Sequence, residues 1–189
     1  MDSRFNISQG ASVQVIRANK KEPKMQDMLK PRGKFVVEHF NKQGELIGTY
    51  EMPNGVANVG KNLLLEVMFS DGVAIAASSW YLSLIDNSGY TALADADTMA
   101  SHAGWNEFTS YSEANRVAWG PGDAASQSIT NASPATFNIS GSGTVKGIFV
   151  VSNNTKSGTS GTLWATALFA ADVPVTNGDQ LKVTYTVSC

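Results

Sequence analysis

Along most of the second half of the chain, hydrophobic and polar positions alternate with a period of two. GTVKGIFVVSNNTKSGTSGTLWATALF (residues 143–169) shows this best. Two strand-like runs there flank a polar, glycine-rich stretch over residues 152–162, which predicts a hairpin. The closing stretch repeats the device: VPVT, then Asn177-Gly178-Asp179, then QLKVTYTVS. Asn-Gly between strand-like runs signals a hairpin, because both central residues of a type I′ turn need positive φ. Further strands are expected over residues 80–85, 116–119, 127–130, 135–140, 144–152, 162–169 and 181–188.

An earlier hairpin is expected over residues 34–52. KFVVEHF alternates, Asn41-Lys42-Gln43-Gly44 turns, ELIGTYEM returns, and Pro53-Asn54-Gly55 breaks the run. NVGKNLLLEVMF (residues 58–69) is the one stretch with helical spacing. Asn58 is its candidate cap, and Leu63, Leu64, Val67 and Met68 share a face. A lone amphipathic helix of this kind is expected to plug a sheet or barrel end. About ten strands at a spacing near ten residues predict an all-β, jelly-roll-like sandwich with one main α-helix over residues 34–189.

One stretch breaks the pattern. From Tyr90 to Glu113 no strand period is visible, beyond one helical turn expected around residues 97–102. Long structureless loops in compact domains tend to be functional. This one carries Met99, Trp105, Phe108 and Tyr111, and Trp119 borders it. So many apolar groups need cover, and the expectation is contact with a partner surface. The alternative is that they fold back and cap the end of the sandwich. Trp80 and Trp164, lying within strands, are expected in the core.

Charge adds an asymmetry. Charged residues make up 16% of the chain, against about 25% in typical domains, which suits a β protein that contacts other protein surfaces. Residues 1–42 hold nine Lys/Arg and four Asp/Glu, a net +5; residues 43–189 hold five and twelve, a net −7. Residues 1–33, with Pro23, Pro31 and no sustained period, read as an extended basic N-terminal arm. Its Arg17, Lys20, Lys21, Lys24, Lys30 and Arg32 are candidates for contact with a partner surface. A poorly ordered solvated terminus is the competing reading. The start of the chain has no signal-peptide pattern and no long apolar run follows, so synthesis in the cytoplasm is expected. The single cysteine, Cys189, permits no intrachain disulfide.

Candidate chemistry is sparse. No Gly-x-Ser-x-Gly, phosphate loop or Cys-x-x-Cys is present. Asp95, Asp97 and His102 are near in sequence, but match no calcium-loop spacing, so no metal or cofactor is expected. Helix capping by Asp95 or Asp97 is the simpler account. Glu107, Glu113 and Asp123 are the carboxylates a sugar hydrolase would need as a pair.

NGVANVGKNLLLEVMF, then WYLSLIDNSGYTALADADTMASHAGWNEF, then TVKGIFV, GTLWATALF and VPVTNGDQLKVTYTVS, resembles a family of virion structural proteins. These are the capsid-associated proteins of short-tailed bacteriophages, called cement, decoration or head-stabilising proteins. The similarity covers residues 34–188 and excludes the arm. It implies a jelly-roll-like fold, no enzymatic activity, and binding to the outer face of the capsid. The partner would be the major capsid protein, with neighbouring subunits bridged. A homo-oligomer, dimer or trimer, on the virion surface is expected, with no direct nucleic-acid contact and no membrane. The rival reading is a tail- or fibre-associated module that binds host glycans through Trp105, Tyr111 and Trp119.

Overall fold

The structure, a computed structural model, describes residues 31–189. The first hairpin pairs β1 (Arg32–Phe40) with β2 (Leu46–Val56). Its turn is organised by Asn41, whose Oδ1 accepts the N–H groups of Gln43 and Glu45. Arg32 and Gly33 belong to β1, so the body begins two residues before the expected boundary. Residues 1–30 of the predicted arm, including Arg17, Lys20, Lys21, Lys24 and Lys30, lie outside the described residues. β2 also runs on through Pro53-Asn54-Gly55, where a break was expected. At Pro53 it has a neighbour on one side only, so the missing N–H need not interrupt a ladder.

The chain continues through α1 (Asn58–Phe69), β3 (Tyr81–Asp86), β4 (Asn106–Phe108), β5 (Val117–Ala118), β6 (Ser128–Thr130) and β7 (Ala135–Asn138). It closes with β8 (Gly143–Val151), β9 (Leu163–Val175) and β10 (Gln180–Ser188). The strands form one antiparallel sheet in the order β4-β3-β8-β9-β2-β1-β10-β6, with β5 also on β3 and β7 also on β10. β2 and β9 share only two residue pairs, Gly55 with Thr166 and Val56 with Ala165. At that seam the sheet curls, and its two halves bury their inner faces in one core. Phe35, Val37 and Tyr185 come from one half, and Leu84, Ile148 and Ala167 from the other. Among the described residues the fold is an all-β sandwich with one α-helix, as the period-two pattern predicts.

The Asn-Gly signal is read differently by the structure. β8 and β9 do form the expected hairpin. β9 and β10 do not, because they lie in opposite halves of the sheet. Gly178 takes positive φ (98°) and Asn177 does not. The turn therefore carries the chain from one layer to the other. Asp179 fixes it by accepting the N–H and the hydroxyl of Thr176. Buried His39 on β1 reaches the same carboxylate at 3.0 Å, tying the corner to the first hairpin.

The long excursion has a place of its own. β8 is buried on both faces: Ile148 and Val150 point into the main core, Phe149 and Val151 the other way. With Ile85 and Leu163 these outer residues make a second cluster, closed over by Met99, Trp105 and Ala57. The loop after β3 is the lid of this second core. Around residues 97–102 it forms a tight turn closed by a Thr98–Ser101 bridge, not the helical turn expected.

Helix α1 has the expected bounds and an unexpected setting. Ala57 is its N-cap and no side chain caps it; Asn58 is already helical, its N–H bonded to the Asp95 carbonyl. Gly60 is the one fully buried residue, because its Cα sits against the backbone and ring of Trp164. Leu63 and Leu64 are half-buried, but Met68 is exposed. The helix leans on the sheet near Trp164 and does not plug it.

Candidate functional site

The loops at the β4 end of the sandwich are tied together by one ion pair. Arg116 precedes β5, and Glu107 sits on β4. The Arg116 guanidinium meets the Glu107 carboxylate twice, Nε to Oε1 at 3.0 Å and Nη2 to Oε2 at 2.8 Å. Both side chains are almost fully buried. Such a pair stabilises only when the remaining donors and acceptors are met, and here they are. Arg116 also donates to the carbonyls of Asn153 and Gly158. Glu107 accepts from the Ser83 hydroxyl and from the Ser157 N–H. The pair thereby joins β3, β4, the approach to β5, and the loop between β8 and β9.

Lys156 adds a second tie. Its ammonium donates to the carbonyls of Thr109 and Tyr111 and lies 3.6 Å from the centre of the Tyr111 ring. Burial lowers the Lys156 pKa, with the Glu113 and Glu107 carboxylates acting against that. Burial also pushes the Tyr111 phenol up, against its hydrogen bond to Ser83. Glu113 is held in turn by the backbone and side-chain amides of Asn138. Between the loops a polar pocket of about 190 Å³ is lined by His102, Asn106, Glu107, Arg116 and Thr159.

These placements revise the expected contact residues. Met99, Trp105, Phe108, Tyr111 and Trp119 are all buried, none above 7% exposed. The expectation that these side chains meet a partner is corrected: they are buried in the two cores of this chain, and the loop covers a sheet face where the alternative had it cap the end of the sandwich. The outer face of β3 and β8 is apolar and needs cover, and this loop supplies it. The Trp105 indole N–H donates to Asp97 Oδ2 at 2.9 Å, and its ring stacks on His102 and meets Phe149. Asp97 also accepts the Ala94 N–H. Asp97 and His102 therefore seat a tryptophan. Among the described residues no three His, Cys, Asp or Glu side chains gather as a metal would require.

Trp80 and Trp164, expected in the core, are the half-buried ones. With Trp119, Ile129 and Val187 they line an apolar groove of about 190 Å³. The Trp119 and Trp164 N–H groups turn inward to the carbonyl and the hydroxyl of Tyr185. Arg32 is exposed at the start of β1, opposite Ser188.

Sequence reading missed Arg116 and Lys156. The signal for Arg116 was present: it is the sole arginine after Arg32 in a body of low charge. What the pinned loops offer outward is small, a mix of hydroxyl and methyl side chains, with Thr91, Ala94, Ser101, Ala103, Thr159 and Ser160 exposed. Comparison of the chain with protein-family models and with curated proteins gives no match.

Proposed function

We propose that this chain is a non-enzymatic structural protein of a short-tailed bacteriophage virion. In this reading it binds the outer capsid surface, contacts the major capsid protein, and bridges neighbouring subunits. The observation that carries the reading is the loop surface cross-tied by Glu107, Arg116 and Lys156. A pre-ordered surface loses little conformational freedom on binding. A modest contact repeated over a symmetric shell gains by avidity. The basic residues of the first 33, Arg17, Lys20, Lys21, Lys24, Lys30 and Arg32, are assigned a second contact on the capsid.

The other readings draw less support. Both oxygens of Glu107 and of Glu113 are engaged by neighbours, which does not favour a hydrolytic pair. Trp105 and Tyr111 present no ring face to a sugar. The test is co-sedimentation of the purified protein with capsids that lack it, beside a glycan array. Saturable capsid binding with a silent array is the expected result. Glycan binding without capsid binding would replace this reading with the tail-fibre one.

A further inference from the structure

Helix α1 carries an apolar face that nothing among the described residues covers. Gly60, Leu63 and Leu64 recur at helical spacing on the side nearest the body, with Val67 exposed at its end. Leu65 and Phe69 recur on the opposite side, and Met68 lies on the flank beside them. Phe69 is 77% exposed, Met68 57% and Leu65 55%, and Val73 just beyond is 85% exposed. A contiguous outward patch of this kind on a monomer marks an interaction surface.

The charges of this helix select the occupant. It has no acidic residue in its first turn and no basic residue in its last. Instead Lys61 stands near the N-terminus, with Glu66 toward the C-terminus and Asp71 just past it. Each charge is therefore at the end the helix dipole disfavours. An antiparallel copy reverses this. It sets Lys61 of each helix toward Asp71 just past the end of the other, and it opposes the two dipoles. The apolar side chains of both copies then meet about the two-fold axis, near Leu65 and Phe69.

We propose that α1 is a self-association surface, pairing with α1 of a second copy in an antiparallel, two-fold arrangement. The pairing is independent of the capsid reading. Four apolar side chains make a smaller patch than the roughly 800 Å² per partner of a standard interface. The dimer is accordingly weak in dilute solution and favoured where copies are held close together. Its ionic part weakens as salt rises.

Sedimentation of the full chain from micromolar to near-millimolar concentration tests this. A reversible monomer–dimer equilibrium is expected. Phe69→Asp should raise the dissociation constant on the order of 10-fold or more, with unchanged circular dichroism because Phe69 is exposed. Lys61→Glu should weaken pairing a few-fold, and adding Asp71→Lys should restore it. In a Cys189→Ser background, Leu65→Cys should form an intermolecular disulfide near the two-fold axis. A chain that stays monomeric throughout would overturn the proposal, as would a dimer indifferent to Phe69→Asp. A trimer, or a failure of the charge reversal to restore pairing, would overturn the antiparallel two-fold.

Discussion

Among single residues, nearly all the buried polar side chains are satisfied in sets, Asn54 Oδ1 being the exception among the described residues, so removing one member has a cost that its chemistry predicts. Trp105→Ala should destabilise the isolated protein by ~3–5 kcal/mol, because the ring closes the second core and its N–H holds Asp97. Equilibrium unfolding in urea reads this directly; a stable variant would mean that the loop is not a lid. Arg116→Met leaves Glu107 buried without its partner and should cost ~3–5 kcal/mol. Adding Glu107→Gln should recover part of the loss, and a double-mutant cycle measures how much. Asp179 gives a pH dependence. Desolvation alone would raise its pKa, but hydrogen bonds from Thr176 and His39 outweigh this and hold it below 3.8. A carboxylate depressed in the fold stabilises above its unfolded pKa, and the contribution is lost as pH falls through the lower folded value. Stability should therefore drop as pH falls below about 4, and Asp179→Asn should flatten that part of the profile. The partners of Arg116 and of Asp179 were not legible in the sequence, and the inward turn of Trp105 stood there only as an alternative. His39 and Asp179 are 140 positions apart, and a loop without period gives no sign of which way its aromatics face.

Elements were more legible than residues. The bounds of α1 and the centres of most strands followed from spacing and turn residues, because one-sided burial imposes a period that survives in the sequence. What failed had a common cause: signals that are local cannot specify partners that are distant. Asn177-Gly178 marks a turn correctly but does not say whether the flanking strands pair. Three-residue β4 is too short to show a period, and exists because Leu84, Ile85 and Asp86 offer it an edge. The helical face was assigned inward from its leucines, although Met68 points to solvent. Strand proximity also sets which glycines are replaceable. At Gly147 a Cβ would press into the Ala167 carbonyl of the neighbouring strand, whereas at Gly55 it would meet open space. Gly147→Ala is expected to cost ~1–3 kcal/mol and Gly55→Ala well under that. Thermal unfolding of the two variants side by side checks the register of β8 on β9; equal melting temperatures would contradict it.

Across the whole molecule, a curled β body carries a loop end made rigid by buried charge. The fold class was legible because it rests on repetition over more than a hundred residues. The proposed role rests on the resemblance and on the rigid loop end, because the sequence offers no catalytic motif to read. The rigid loop end would sit on the shell, and repeated copies would span boundaries between capsid subunits. The most direct test is cryo-electron microscopy of the phage capsid assembled with and without this protein. Added density is expected in symmetric positions on the outer surface, fitted by the β body and touching at least two capsid subunits. Capsids of identical density with and without the protein, at saturating concentration, would contradict the capsid reading.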